Sequence, residues 1–362
     1  MIVYVYPADL MGCGYYRLIW PAKQLIAMGH DVRIVHPQSG KKISGGLDGD
    51  GRLVAMIAPQ DADVLVFQRV TSKTMIEGIK ILRQNGIAVV VDIDDDMSAI
   101  HQYNPAWAAL HPGKTGRKSD EYDWNSALTI CDNVTMVTVS TDALLRRYAR
   151  HGRGRVLHNA VPKIMLDIPP RPQEGVAGWG GSLHSHPDDP QVTGNSMGQI
   201  QRAGYKFKIV GPPWGTKQAF SLDQDAITTG PVPIGQWPHE LSRLQVGIAP
   251  LNDTRFNAAK SWLKMLEYAA LGVPCVGSPR AEYRRIHDLG VGLLADNPRQ
   301  WYRHVRSLLD NETLRAEMIE SGRDAVSKLT IENTAWKWWE AWTEALAIER
   351  GPLGAKKIKQ PA

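Results

Sequence analysis

Two hydrophobic rhythms alternate along this chain. Short runs rich in Val, Ile and aromatic residues, such as MIVYVY, ADVLVFQRV, IAVVVDI, VTMVTVS and YKFKIV, have the length and composition of buried strands. Between them, apolar residues recur at three- and four-residue steps, as helices require. After MIVYVY, for example, Leu18, Ile19, Leu25 and Ile26 mark the core face of a helix that Gly29 closes before the strand DVRIVHP. MIEGIKILRQNG and NSALTIC continue the alternation. Strand and helix in turn predict parallel sheets covered on both faces. No stretch repeats in sequence, and the two halves echo one another only as α/β units.

The pattern is sharpest from Asn257 to Val276, which predicts one helix, a stop and a strand. Ala259, Trp262, Leu263, Leu266, Ala269 and Ala270 form a continuous apolar stripe. Asn257 is the predicted N-cap, Gly272 the C-terminal stop, and Pro274 prevents continuation. On the polar side Lys260, Lys264 and Glu267 share a face. Two lysines four residues apart repel, and an anion between them removes that repulsion; a helix N-terminus adds free N–H groups. A phosphate or pyrophosphate suits this arrangement. A solvated face with Lys264 paired to Glu267 is the alternative.

KSWLKMLEYAALGVPCVGS resembles the donor-binding segment of GT-B glycosyltransferases of the retaining group 1 type, a glutamate, seven residues, a second glutamate and an ending G-x-P-V-V. The resemblance implies two Rossmann-like doubly wound α/β domains facing across a cleft. It also implies glycosyl transfer from a nucleotide-diphosphate sugar. Glu267 matches the second glutamate, which in that family binds the donor ribose, and Ala259 stands where the first would be. VAGWGGSLHSHPDD resembles the strand and glycine loop that meet the donor pyrophosphate, with Gly180, Gly181 and Ser182 as the loop. The family's arginine-and-lysine pair downstream is absent, and His184 and His186 stand nearby instead. Gln236 and Trp237 precede the helix whose loop packs on the base in that family. Gly12 and Gly14 lead into the first helix, and Arg17 lies just inside it. RVLHNAV resembles the strand that ends the first domain, with Asn159 the matching position.

The sequence DIDDD places Asp92, Asp94, Asp95 and Asp96 at the carboxyl end of a strand, the edge where open α/β sheets bind ligands. A cleft role and a D-x-D metal site both remain open from these residues. The resemblance implies no essential metal, with magnesium or manganese as the alternative. The candidates for the chemistry are Lys264, Lys260 and Asp94. Those for the donor are Gly12, Gly14, Arg17, Gly181, Ser182, His184, Trp237, Asn257, Ser261 and Glu267.

A chain of 362 residues is comfortable for two domains. We place the first at 1–165, a proline-rich linker KIMLDIPPRPQEG after it, and the second at 175–330. The resemblance returns the final helix, 331–350, to the first domain. That helix carries Trp336, Trp338, Trp339 and Trp342, and its acidic polar face argues against an anionic lipid surface. No run is apolar over the roughly 18 residues that span a bilayer, and the N-terminus opens as a strand, which predicts a cytoplasmic protein without membrane insertion. The net charge of +5 fits an anionic substrate, while no basic–aromatic stripe announces nucleic acid. A DNA-base-modifying transferase and a non-catalytic nucleotide-sugar binder are the alternatives. Cys13, Cys131 and Cys275 make neither a disulfide framework nor a metal spacing. Residues 40–53 predict a mobile glycine-rich connection, and 98–124 an irregular insertion whose His101 and His111 are acid–base candidates. KIKQPA reads as a disordered tail. The donor sugar, its base and the acceptor are not legible.

Overall fold

The computed structural model describes residues 1–36, 43–50, 52–111 and 123–354. Lys356, Lys357 and Lys359 of the tail, Pro112–Lys114 of the insertion, and Gly40, Lys41 and Gly51 of the glycine-rich connection lie outside the described residues. The chain divides into two compact units. One comprises Met1–Ser98, Ala108–His158 and the chain from Thr334 on; the other comprises Ala99–Trp107 and Asn159–Asn333.

The first unit is built on a six-stranded parallel sheet. Its strands are β1 (Val3–Tyr6), β2 (Val32–Ile34), β5 (Val64–Gln68), β6 (Ala88–Ile93), β7 (Met136–Val139) and β8 (Gly154–Val156), in the spatial order β2-β1-β5-β6-β7-β8. β5, β6 and β7 are buried along their whole length, which is why they read as continuous apolar runs without alternation. β3 (Ser44–Leu47) and β4 (Leu53–Ile57) form a separate antiparallel hairpin. Within the described part of the expected mobile connection at 40–53, residues 44–47 and 53 are therefore strand.

The acidic cluster at the end of β6 is neutralised residue by residue. Asp92 is fully buried and receives Arg17 Nε at 2.9 Å, Arg17 Nη2 at 2.8 Å and Thr138 Oγ1 at 2.7 Å. Arg17 also donates to the Leu157 carbonyl and stacks over Trp338. This corrects the expectation that Arg17 meets a donor: its side chain is sealed in the core. Asp94 accepts from Arg69 Nε and Nη2, each at 2.5 Å. Burial pushes its carboxyl up, but the Arg69 charge and hydrogen bonds, with help from Arg17, outweigh this and hold it at about 2. A carboxylate so engaged is a poor proton carrier at neutral pH. Asp96 accepts from Ser98 and from Tyr148 Oη at 3.1 Å. Among the described residues no group of three or more His, Cys, Asp or Glu could hold a metal ion. Gly14 packs so closely that a Cβ there would lie 2.0 Å from the Asp9 carbonyl oxygen, while Gly12 faces open space. In the final helix, Trp336–Gly354, Trp338 and Trp342 are buried, and Trp338 Nε1 donates to the Arg17 carbonyl at 2.9 Å. No helix among the described residues is long and apolar enough to cross a membrane.

The second unit carries another six-stranded parallel sheet: β9 (Val176–Gly180), β10 (Lys206–Val210), β11 (Ile227–Thr228), β12 (Val246–Ala249), β13 (Cys275–Gly277) and β14 (Leu293–Leu294). Its order is β11-β10-β9-β12-β13-β14, the doubly wound dinucleotide-fold order with its switch point between β9 and β12. One face packs on helices Ser196–Arg202 and Pro298–Asp310 through Trp179, Phe207, Phe220, Ile248 and Trp301. The proline-rich stretch 163–175 is tied to this unit: Met165 is buried, and the Arg171 and Gln173 N–H groups donate to the Ser242 and Arg243 carbonyls.

The Arg17–Asp92 pair gives a direct prediction. Arg17→Ala leaves a buried carboxylate without its cation and should destabilise the protein by about 3–5 kcal/mol in denaturant unfolding. Arg17→Met with Asp92→Leu should recover a large part of that loss. A single mutant with wild-type stability would contradict this account.

Candidate functional site

At the switch point β9 and β12 pair over only two residues, Ala177 with Val246 and Gly178 with Gly247. Beyond them the strands part, and their ends need other partners. Tyr268 supplies them. Its hydroxyl accepts from the Gly180 N–H at 3.0 Å and donates to the Ile248 carbonyl at 3.2 Å, bridging the two strands. The ring lies against Gly247, where a Cβ would come within 2.9 Å of it.

Tyr268 belongs to the helix Leu263–Ala270, which we label α1; the four-residue helix before it is Arg255–Ala258. The single helix expected from Asn257 is thus two, separated at 259–262. Thr254, not Asn257, caps the first, accepting from the Asn257 N–H at 3.1 Å. The break has tertiary causes: Asn159 Nδ2 donates to Ser261 Oγ at 2.8 Å, and Trp262 Nε1 donates to the Asn159 carbonyl at 2.7 Å. Two predicted site residues change role as a result. Asn257 is buried, and its amide donates to Asp189 and to the Asn252 carbonyl. Lys260 lies in the link rather than in a helical turn, its ammonium 4.6 Å from the centre of the Phe256 ring.

The break moves the helix start to Trp262, so Lys264 falls in the first turn of α1, among its unpaired N–H groups. Its ammonium donates to the Gly180 carbonyl and sits 5.7 Å from the Trp179 ring centre. Burial lowers the Lys264 pKa, the Glu267 carboxylate opposes that shift, and the Lys260 charge reinforces it. Glu267 is buried and accepts from Trp237 Nε1 at 3.0 Å. Gly180 permits this packing, because a Cβ there would meet Leu241 at 2.6 Å and Trp237 at 3.1 Å. Gly181 lies against Trp179 and receives Gly211, whose φ of 140° and close approach to the Gly181 carbonyl suit only glycine.

Lys264, Lys260, Glu267, Trp237, Gly181, Ser182, Asn257 and Ser261 therefore belong to one unit, around the end of β9. His184 is exposed, 5.6 Å from the Trp214 ring centre. Gly12, Gly14, Arg17 and Asp94 belong to the other unit. A cavity of about 530 Å³ lined by Leu183, Pro187, Gln191, Gly215 and Gln218, among others, includes none of the predicted residues. Sequence reasoning missed Tyr268 and Asp189. Tyr268 directly follows the matched glutamate, and Asp189 stands three residues after His186; both spacings were available as signals.

Residues 195–337 match the family described as glycosyl transferase-like. No curated protein matches the chain in sequence. Solved structures match over nearly its whole length. Sucrose-phosphate synthase from Thermosynechococcus elongatus superposes with a TM-score of 0.64 at 14% identity, covering 96% of this chain and 100% of its own. Anabaena HepE in complex with UDP gives 0.61 at 10% identity, covering 95% and 100%. A glycosyltransferase from Rickettsia africae gives 0.58 at 13% identity, covering 95% and 98%. The chain has the GT-B fold. It resembles the group 1 glycosyltransferases of that fold, and the segment from β10 to the last helix includes the sites assigned above to Glu267 and Lys264.

Removing the bridging hydroxyl tests how the switch point is held. Tyr268→Phe leaves the buried Gly180 N–H without its acceptor and should cost about 1–3 kcal/mol of stability in urea unfolding. A cost near zero would show that the strand ends find their partners elsewhere.

Proposed function

We propose that this protein transfers a glycosyl group from a nucleoside-diphosphate sugar, with the diphosphate held at the end of β9. One observation carries the reading: a half-buried lysine ammonium stands at the switch point of a doubly wound sheet, in the first turn of a helix, beside a buried glutamate. Ligands of such sheets bind at the carboxyl ends of the strands where the order reverses. Burial lowers the pKa of this lysine against the opposing Glu267 carboxylate, and a diphosphate stabilises its charged form.

In this reading Lys264 and the first-turn N–H groups of α1 stabilise the charge that develops on the departing diphosphate. Lys260, on its link, contributes mainly to binding. Glu267, oriented by the Trp237 indole, accepts from the ribose hydroxyls. The Gly180–Ser182 loop brings backbone close to the phosphates without side-chain obstruction. HepE is seen with UDP, which supports a uridine nucleotide for this chain. Retention of configuration and independence of a metal follow the group 1 resemblance. The acceptor is a glycan, lipid or protein hydroxyl.

One observation favours a second reading, a nucleotide-sugar binder without transfer. Ala259 is buried where the group 1 pattern has its first glutamate, so no carboxylate is available there to hold the donor sugar.

Calorimetry in EDTA tests the site. UDP should bind without added metal, and GDP and ADP provide the comparison; failure of all three would remove the diphosphate assignment. Glu267→Ala should weaken UDP far more than inorganic pyrophosphate, since only UDP carries a ribose. Equal losses would make Glu267 a structural partner of Trp237 and Lys264. Given binding, Lys264→Ala should lower turnover of UDP-sugar by about 10²-fold or more, comparable to losing one preorganised charge-stabilising donor. Lys260→Ala should chiefly raise KM. Binding without any turnover in the wild type would select the second reading.

A further inference from the structure

The segment after β9 holds a second polar cluster, which the diphosphate reading above leaves unused. Its centre is Asp189, 3% exposed. Asp189 Oδ2 lies 2.7 Å from His186 Nδ1. Asp189 Oδ1 accepts from the Asn252 N–H at 2.9 Å and from the Asn257 amide. Asn252 follows β12 and His186 follows β9, so the cluster lies across the split between the two strands.

The protonation state follows from these contacts. Burial pushes the Asp189 carboxyl up, but the His186 and Asn contacts outweigh it and keep the carboxyl below its usual range. An ionised carboxylate only accepts, so His186 Nδ1 carries the hydrogen and Nε2 presents its lone pair. Nε2 has no hydrogen-bond partner among the described residues, and the side chain keeps 17% of its surface in solvent. The charged groups facing the imidazole are Asp189 from its own segment, Lys260 from the link and Lys264 from α1. Asp188 is turned to His101, at 3.0 Å. Burial lowers the His186 pKa, Asp189 raises it, and the two lysines lower it further, leaving the imidazole neutral at pH 7.

An incoming diphosphate reverses this balance. It cancels the field of the two lysines, and a lone pair on Nε2 would repel a phosphate oxygen. We propose that His186, oriented by Asp189, takes up one solvent proton at Nε2 when the diphosphate binds and donates the resulting N–H to it. His186 thereby supplies the cationic donor that the missing arginine would have provided, and returns the proton when the nucleotide leaves. Asp189 is the positioning residue: it fixes which ring nitrogen faces the ligand. This inference rests on the diphosphate reading of the site.

The sign of the pH dependence follows. Binding raises the His186 pKa, so its contribution to affinity is present at low pH and is lost as pH rises through the bound-state value. Between the free-state and bound-state values Kd should weaken by up to about tenfold per pH unit, the limit for one proton, and above the bound-state value it should level off.

Calorimetric titration of UDP in EDTA, in buffers of low and high ionisation enthalpy, counts the protons. At about pH 7.5 the terminal phosphate of UDP is itself already ionised, so uptake reports on the protein. The wild type should take up close to one proton per UDP bound. His186→Gln, with its fold checked by thermal unfolding, should bind UDP about tenfold or more weakly and take up none. Asp189→Asn should also reduce uptake, because the ring is then free to present either nitrogen. UDP binding to the wild type without proton uptake would overturn the proposal and leave the diphosphate site standing, whatever the variants do. Uptake unchanged in His186→Gln would overturn it by assigning the proton elsewhere. Absence of UDP binding in the wild type would remove the site and this proposal together.

Discussion

Everything assigned to the second unit depends on the parting of β9 and β12. Two parallel strands that pair for only two residues and then separate leave a carbonyl and an N–H group unpartnered at the split. Backbone groups buried without partners are costly, so the gap must be filled by side chains. Tyr268 fills it with a single hydroxyl that both accepts and donates. Lys264 then takes the Gly180 carbonyl from the same helix. The fold thus places a cation at the split because a carbonyl there needs a donor, and in the proposed function the same cation meets the diphosphate. Structural need and ligand need converge on one side chain.

The two units treat charge in opposite ways. In the first, four clustered aspartates meet Arg17, Arg69 and Arg147, and the most buried pair shares a bidentate contact. Like charges crowded at a strand end are stable there because each faces a cation within the protein. In the second, the lysines at 260 and 264 face one another and a neutral histidine, with Glu267 and Asp189 as the opposing carboxylates. Burial lowers the pKa values of Lys264 and His186, which is the mark of charge provision that the protein itself leaves incomplete.

Much of this was legible in the sequence, for physical reasons. Fully buried parallel strands are largely apolar on both faces, so β5, β6 and β7 appeared as short Val-rich runs. Lys264 and Glu267 shared a face by helical spacing, and that spacing survives in α1. What was not legible was set by contacts distant in sequence. Asn159 breaks the helix at Ser261 and Trp262 from about a hundred residues away, moving Lys260 off the helix and Asn257 into the core. Arg17 looked like a basic residue beside a glycine loop, and only its pairing with Asp92, 75 residues on, shows it to be a core residue. Asp189, in an ordinary Asp-Asp-Pro turn, gains its role from Asn252 and Asn257.

The central claim is that the Lys264 ammonium is the group that a nucleoside diphosphate meets. The direct measurement is the Lys264 pKa, read from the side-chain carbon resonance of labelled lysine as pH is raised, with and without UDP. The account predicts a value below the ordinary lysine range in the free protein and a clear rise when UDP is bound. A Lys264 titration unchanged by saturating UDP would contradict it.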